Sequence, residues 1–261
     1  MRDAYGTIGP IDHLPVTEAR RTLGVRLAPD GNNKEEYTYL RTQAQNWQEQ
    51  LRTGHLPRHL AWQALQSSLL PKLKYPLPAT TFSRQACNKI LSPALLASLP
   101  ASGIMRTFPR TLVHAPTAAR GLNIPDLYTE QGLSHIEMLL MYGHREEHIT
   151  GKLLRGSIQQ AKLELGLPGP LFRQDYSKFH HLATTTWVKS VWLFLWEHSM
   201  SLEEDGPHLT TRRDNDTFLT LVFYANGFRG KQLHRLNHCR VYLRMTTLAD
   251  ITTRSGSHIT I

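Results

Sequence analysis

His144-Arg145-Glu146-Glu147-His148 matches the H-x-x-E-H pattern, in which two imidazoles one helical turn apart hold zinc and the intervening carboxylate serves as general base. That chemistry needs a helix to fix the two rings. Gly143 ends one stretch of helical spacing and Thr150-Gly151 interrupts soon after, so the five residues read as a solvated loop that holds no metal tightly. His234 and His238 are also four apart, with Cys239 adjacent. The helical phase turns that thiol toward Leu236 and Leu243, which makes it a core residue rather than a ligand. Gly227-Phe228-Arg229-Gly230-Lys231 resembles a phosphate loop only superficially, because Ala225 and Gln232 stand where its first glycine and its metal-binding hydroxyl belong. No G-x-S-x-G elbow occurs, and neither cysteine lies in a reactive motif. The chain is therefore expected to have no catalytic residues, no metal site and no cofactor.

Charge is more informative than these motifs. The 261 residues carry a formal net charge of +9, and 40% of them are hydrophobic, enough for a substantial core. From Gln50 to Pro125 there is no Asp or Glu, while Arg52, Arg58, Lys72, Lys74, Arg84, Lys89, Arg106, Arg110 and Arg120 all fall there. The whole excess charge sits in that stretch. Such a field attracts polyanions, and nucleic-acid phosphates are the expected partner. Tyr37, Tyr39, Trp47, Trp62 and Tyr75 interleave with it as base-stacking residues do, although Tyr37 and Trp47 also fit an apolar helix face. Cys87 and Cys239 are the only cysteines, which fits a reducing compartment. Met1 to Thr7 lack a basic start followed by an apolar run, so an intracellular location, nuclear or cytoplasmic, is expected. The most apolar window, Trp187 to Trp196, is too short for a bilayer span and reads as a buried helix, with Trp192 and Trp196 both inside.

The elements that would carry these residues can be read from periodicity. Arg21 to Leu27 alternates as a short strand, closed by Ala28-Pro29-Asp30-Gly31. Asn32 or Asn33 can cap a helix whose apolar face is Tyr37, Leu40, Ala44, Trp47 and Leu51. A second helix runs from Pro57 until Pro71, and the two should pack as an antiparallel pair. Tyr75-Pro76-Leu77-Pro78 should be extended, and Ser83 and Ser92-Pro93 should open two short helices. Ala101 to Pro125 reads as basic loop with one short strand. Helical spacing returns in Leu133 to Leu140, in Leu154 to Leu165, and in three later segments, Thr186–Met200, Asp216–Asn226 and Lys231–Met245.

Thr22-Leu23-Gly24-Val25, followed by a turn and two helices, resembles the end of the palm of retroelement reverse transcriptases. There a hydrophobic-Leu-Gly segment leads into a helical thumb. Tyr75-Pro76-Leu77-Pro78, Phe108-Pro109-Arg110, Gly121-Leu122-Asn123-Ile124 and Gln131 are similar to the post-palm region of transposon-encoded polymerases. Arg213-Asp214-Asn215-Asp216, Leu236 to Leu243 and Leu248-Ala249-Asp250-Ile251 look like the continuation of the same reading frames. That family's polymerization needs an aspartate pair in a Tyr-x-Asp-Asp box, and no two aspartates are adjacent here, so no catalytic role carries over.

The resemblance implies a mainly α fold in three parts. A palm-end strand and turn remnant occupies 1–33, a basic thumb-like helical unit 34–125 and a second helical unit 126–261. The implied function is that of a non-catalytic segment of a retrotransposon reverse transcriptase whose nine cations touch a template–primer backbone. The alternatives are an all-helical protein-interaction module and a zinc-dependent hydrolase.

Overall fold

The computed structural model describes residues 15–145, 147–204, 206–253, 255 and 258–259. Met1 to Thr7, Glu146 and Asp205 lie outside the described residues. The fold is mainly helical, with one two-stranded antiparallel sheet near the start of the described chain. It divides into two compact units, Met1–Gln131 and Gly132–Ile261. The division falls within a helix, a few residues beyond the sequence boundary drawn at Pro125.

The first unit opens with strands β1 (Arg20–Thr22) and β2 (Val25–Leu27). The sequence predicts one strand over Arg21 to Leu27; the chain instead makes a hairpin there. Thr22 pairs with Val25, so Leu23 and Gly24 form a two-residue turn, at φ 50° and 94°. Positive φ at both central residues gives a turn whose twist matches that of the strands, and glycine accepts it at little cost. The Leu-Gly pair is thus the tip of a hairpin, held from outside by the Tyr75 hydroxyl, which donates to Leu23 O at 2.7 Å.

Helix α1 (Lys34–Thr53) buries Leu40 and Ala44, as its apolar spacing predicts. Asn33 stands at its N-cap position, but its side-chain amide donates to Thr81 Oγ1 at 2.7 Å rather than capping the helix. Its partner is α4 (Arg84–Ala101), not the next helix in sequence. The contacts Asn33–Thr81, Tyr37–Phe82 and Trp47–Ser98 advance together along both helices, so the pair is parallel. One helix replaces the two expected around Ser92-Pro93. Pro93 costs α4 a hydrogen bond, roughly 3 kcal/mol, and burial of Ile90, Leu91, Ala94, Leu95 and Leu99 along the same helix offsets it.

Between these helices, α2 (Arg58–Ala64) passes through a π-turn, Leu65–Leu69, into α3 (Leu70–Lys74). The sequence places a helix end at Pro71. In the π-turn the Leu70 N–H bonds back to Leu65 O. The widened turn draws the preceding carbonyls away from the proline ring, so the helix continues. Tyr75 and Pro76 form a turn with right-handed helical dihedrals rather than an extended segment, and Leu77–Ala79 forms a 3-10 turn.

Most of Ala101 to Pro125 is irregular, as expected, with a short helix, α5 (Arg110–His114), and a 3-10 turn, Thr117–Ala119, in place of the expected strand. Helix α6 (Leu127–Tyr142) starts at Asp126, whose Oδ2 accepts from Thr129 N and Oγ1 at 3.1 and 2.7 Å. Gln131 is buried on it and pairs with the backbone of Phe82 through both ends of its amide, at 2.9 and 3.0 Å.

The second unit contains α7 (Ile149–Leu165), α8 (Tyr176–Phe179), α9 (Thr186–Glu197), α10 (Leu219–Ala225) and α11 (Gly230–Tyr242). Leu154, Ile158, Leu165, Phe172, Phe179, Val188, Trp192 and Leu233 form its core. Trp192 is 1% exposed and its indole N–H donates to Gln174 O at 3.0 Å, whereas Trp196 is 49% exposed. The prediction that both tryptophans are buried therefore holds for Trp192 alone. Trp196 leans on the ring of Tyr176 at the edge of the core.

Helix α11 also corrects the sequence reading. Its inward face is Leu233, Asn237 and Arg240, and Cys239 is exposed. Arg240 donates to Leu163 O at 2.6 Å, Glu164 O at 2.8 Å, Met245 O at 3.0 Å and Asn237 Oδ1 at 2.9 Å. Asn237 adds a bond to Glu164 O at 2.6 Å, and Thr220 one to Leu165 O at 2.7 Å. Together they satisfy carbonyls that the end of α7 leaves without intrahelical partners. A cation there also meets the negative end of the helix dipole. Gly166 makes the arrangement possible. It sits at φ +58°, and a Cβ on it would lie 2.5 Å from the Arg240 guanidinium carbon. Among the described residues no helix is long and apolar enough to cross a membrane.

Candidate nucleic-acid interface

All nine cations of the acid-free stretch lie in the first unit. They do not form a single cluster. Arg52 and Arg106 border a surface cavity of about 700 Å³ with Gln48 and Pro100. Arg84 and Arg110 border a second, of about 560 Å³, between α4, α5 and the start of α6. Lys74 borders a third, of about 500 Å³, together with Glu130. Arg58 lies over Gly103, and Lys72, Lys89 and Arg120 are exposed.

The carboxylates that flank the stretch fold back onto it. Glu49 reaches Arg52 at 3.5 Å and Glu130 reaches Lys74 at 2.6 Å. Arg84 lies over the ring of Tyr128, 4.2 Å from its centroid, which holds the guanidinium at the cavity wall. The field read from the sequence is thus already offset in part at Arg52 and Lys74.

The aromatic residues serve mostly as structure. Tyr37 packs edge-on to Phe82, Tyr39 stacks under Arg26, and the Trp47 indole donates to Ser98 Oγ at 3.0 Å. Tyr75 is 62% exposed, but its hydroxyl is committed to the hairpin tip. Cys87 is buried on the inner face of α4; burial, and to a lesser degree Asp126, push its thiol up to about 12, which makes it inert at neutral pH.

His144 and His148 lie in the connection between α6 and α7. His148 is the N-cap of α7, accepting from Thr150 N at 3.3 Å through Nδ1, with its ring 5.1 Å from that of Tyr142. Helix α7 therefore begins before the Thr150-Gly151 pair, not after it. His144 lies just past the end of α6, so no shared helix sets the two imidazoles one turn apart. His234 and His238 stack on the exposed side of α11 with ring centroids 6.5 Å apart. Among the described residues no group of three or more His, Cys, Asp or Glu is placed to hold a metal ion.

Comparison of the chain with protein-family models, with curated proteins and with solved structures finds no match.

Sequence reasoning passed over Asn88, Thr111 and His114, which line the same cavity as Arg84 and Arg110. A signal was present on α4. Arg84, Asn88, Leu91, Ser92 and Leu95 recur at helical spacing, a polar edge running beside an apolar one.

Proposed function

We propose that the chain is a non-catalytic, thumb-like part of a retrotransposon reverse transcriptase, working in the nucleus or cytoplasm, whose first unit holds a nucleic-acid backbone. The observation that carries this reading is the folding of the acid-free stretch into one unit, with Arg52, Arg84, Arg106 and Arg110 at solvent-open cavities and Lys72, Lys89 and Arg120 exposed. The order of the Leu-Gly, Tyr-Pro-Leu-Pro and Phe-Pro-Arg strings supports the family. Positioning through phosphates gives affinity without base readout, which suits a surface of long cations where Tyr37, Tyr39 and Trp47 are engaged within the fold.

Salt dependence tests it. If about four cations reach phosphates, affinity for duplex DNA falls with salt at a log–log slope near −3.6, about −0.9 for each phosphate. Lys72→Glu with Arg106→Glu should weaken every sequence alike and flatten that slope. Lys231→Glu with Arg235→Glu, exposed on α11, should matter less. Arg212 and Arg213 make a poor control, because Arg212 pairs with Asp250 at 2.9 Å and Arg213 donates to Thr253 O at 2.6 Å. Binding that ignores salt, or that survives the Lys72 and Arg106 reversals, would overturn the reading.

The protein-interaction alternative draws on one observation. Leu133, Leu140 and Met141 on α6 are between 47% and 55% exposed, an apolar edge larger than scattered surface leucines require. Loss of nucleic-acid binding at all salt concentrations would favour it.

A further inference from the structure

The cavity between α4, α5 and the start of α6 combines features that a backbone-tracking surface does not need. It encloses about 560 Å³ and is lined by Arg84, Asn88, Leu91, Leu95, Arg110, His114 and Asp126, with three hydroxyl side chains. That volume falls in the range of about 300–1,000 Å³ usual for small-molecule sites, and is far larger than a lone tetrahedral oxyanion fills. Leu91 and Leu95, each 3% exposed, provide an apolar floor. Arg84 and Arg110 provide two cations against the single carboxylate of Asp126, one oxygen of which is already taken by Thr129.

The polar groups are held before any ligand arrives. His114 Nδ1 lies 2.9 Å from Ile124 O, and since a carbonyl only accepts, Nδ1 carries the proton and Nε2 is the ring's remaining polar atom. Arg84 is fixed over Tyr128. We propose that this cavity is a binding site for a single nucleotide, with the phosphate between Arg84 and Arg110 and the nucleoside over Leu91 and Leu95. Asp126 argues for a nucleotide over a bare oxyanion. An anion repels it, whereas a nucleoside brings hydroxyl and N–H groups that can donate to it. The site deepens the backbone-binding reading by supplying a place for one terminal or flipped-out nucleotide, yet it stands on the cavity alone.

The test uses the full chain and a nucleoside 5′-monophosphate, with the nucleoside and inorganic phosphate as separate probes. The monophosphate should bind at least about tenfold more tightly than either one, because only it uses both the cations and the floor. Asn88→Trp, at an exposed position on α4, fills the cavity without changing charge and should abolish that binding. Arg110→Ala should weaken the monophosphate and leave the nucleoside unchanged, and Lys72→Glu with Arg106→Glu should leave all three probes unchanged. Circular dichroism confirms that each variant is folded, with Arg110→Ala carrying the test if Asn88→Trp is not. A monophosphate that binds no better than phosphate, or that still binds the folded Asn88→Trp variant, would overturn the proposal. Salt-sensitive duplex binding without monophosphate binding would reject the cavity and keep the backbone reading. Monophosphate binding without duplex binding would do the reverse.

Discussion

In the first unit Arg52, Lys74, Arg84, Arg106 and Arg110 border cavities open to solvent, whereas in the second unit Arg240 is folded inward, 4% exposed, against the carbonyls that end α7. Lys162 is folded inward too, 2% exposed and 3.5 Å from Glu204. Burial lowers the pKa of Arg240 to about 10, still well above neutrality, so it remains a cation inside the protein. The difference lies in the acceptors. Where the chain closes several carbonyls or a carboxylate around a cation inside the fold, the cation becomes part of the core; a surface ion pair such as Glu49 with Arg52 or Glu130 with Lys74 leaves the cation at solvent, within reach of a partner from outside.

The sharpest way to break this contrast is to remove one cation from each unit. Arg240→Ala withdraws a donor from three backbone carbonyls and an amide oxygen, leaving Asn237 alone on Glu164 O, and should cost on the order of 4–5 kcal/mol, the exceptional range for one substitution. Arg106→Ala should stay within about 0.5 kcal/mol, as exposed substitutions do. Equal losses in denaturant titrations would show that the two cations do not differ in role.

The two tryptophans of α9 give a smaller contrast. Trp192→Ala should cost about 3–4 kcal/mol, close to the usual penalty for emptying a buried aromatic site. Trp196→Ala, at a half-exposed position, should cost under about 1 kcal/mol. A Trp196→Ala loss as large as that of Trp192→Ala would mean that the edge of the aromatic core bears as much as its centre. The smallest effect is expected at the Lys74–Glu130 pair, whose side chains are 41% and 31% exposed. Glu130→Gln should change stability by under about 1 kcal/mol, while raising duplex affinity by releasing Lys74. Unchanged affinity would show that Lys74 takes no part in binding.

Much of this was legible from spacing. Leu40 and Ala44 on α1, and Leu154, Ile158 and Leu165 on α7, point inward as their periodicity dictates. Proline was misread because its local cost was taken as decisive. Pro71 and Pro93 both sit inside continuous helix, the first behind a π-turn and the second on a helix with a large buried face. Cys239 was misread for a related reason. Apolarity alone would make Leu236 and Leu243 the inward face, yet Asn237 and Arg240 share the helical phase of Leu233 and face the end of α7. Partners 73 and 77 residues away in sequence decide that phase, and no local pattern reports them. The cations of the acid-free stretch were visible by counting, but which five of them border cavities depends on how the helices of the first unit pack.

The π-turn at Leu65–Leu69 also acts as a phase shifter. It inserts one residue into the rod formed by α2 and α3 with little added length, and one residue of helix corresponds to about 100° of rotation. Everything after it, Lys72 and Lys74 included, therefore points about 100° away from where an unbroken α-helix starting at Arg58 would aim it. Leu70 and Leu73 are turned into the core by the same rotation, so the azimuth of the two lysines and the seating of the two leucines are set together. Deleting a single residue from the π-turn would swing the basic stripe and its apolar footing around the axis in one step.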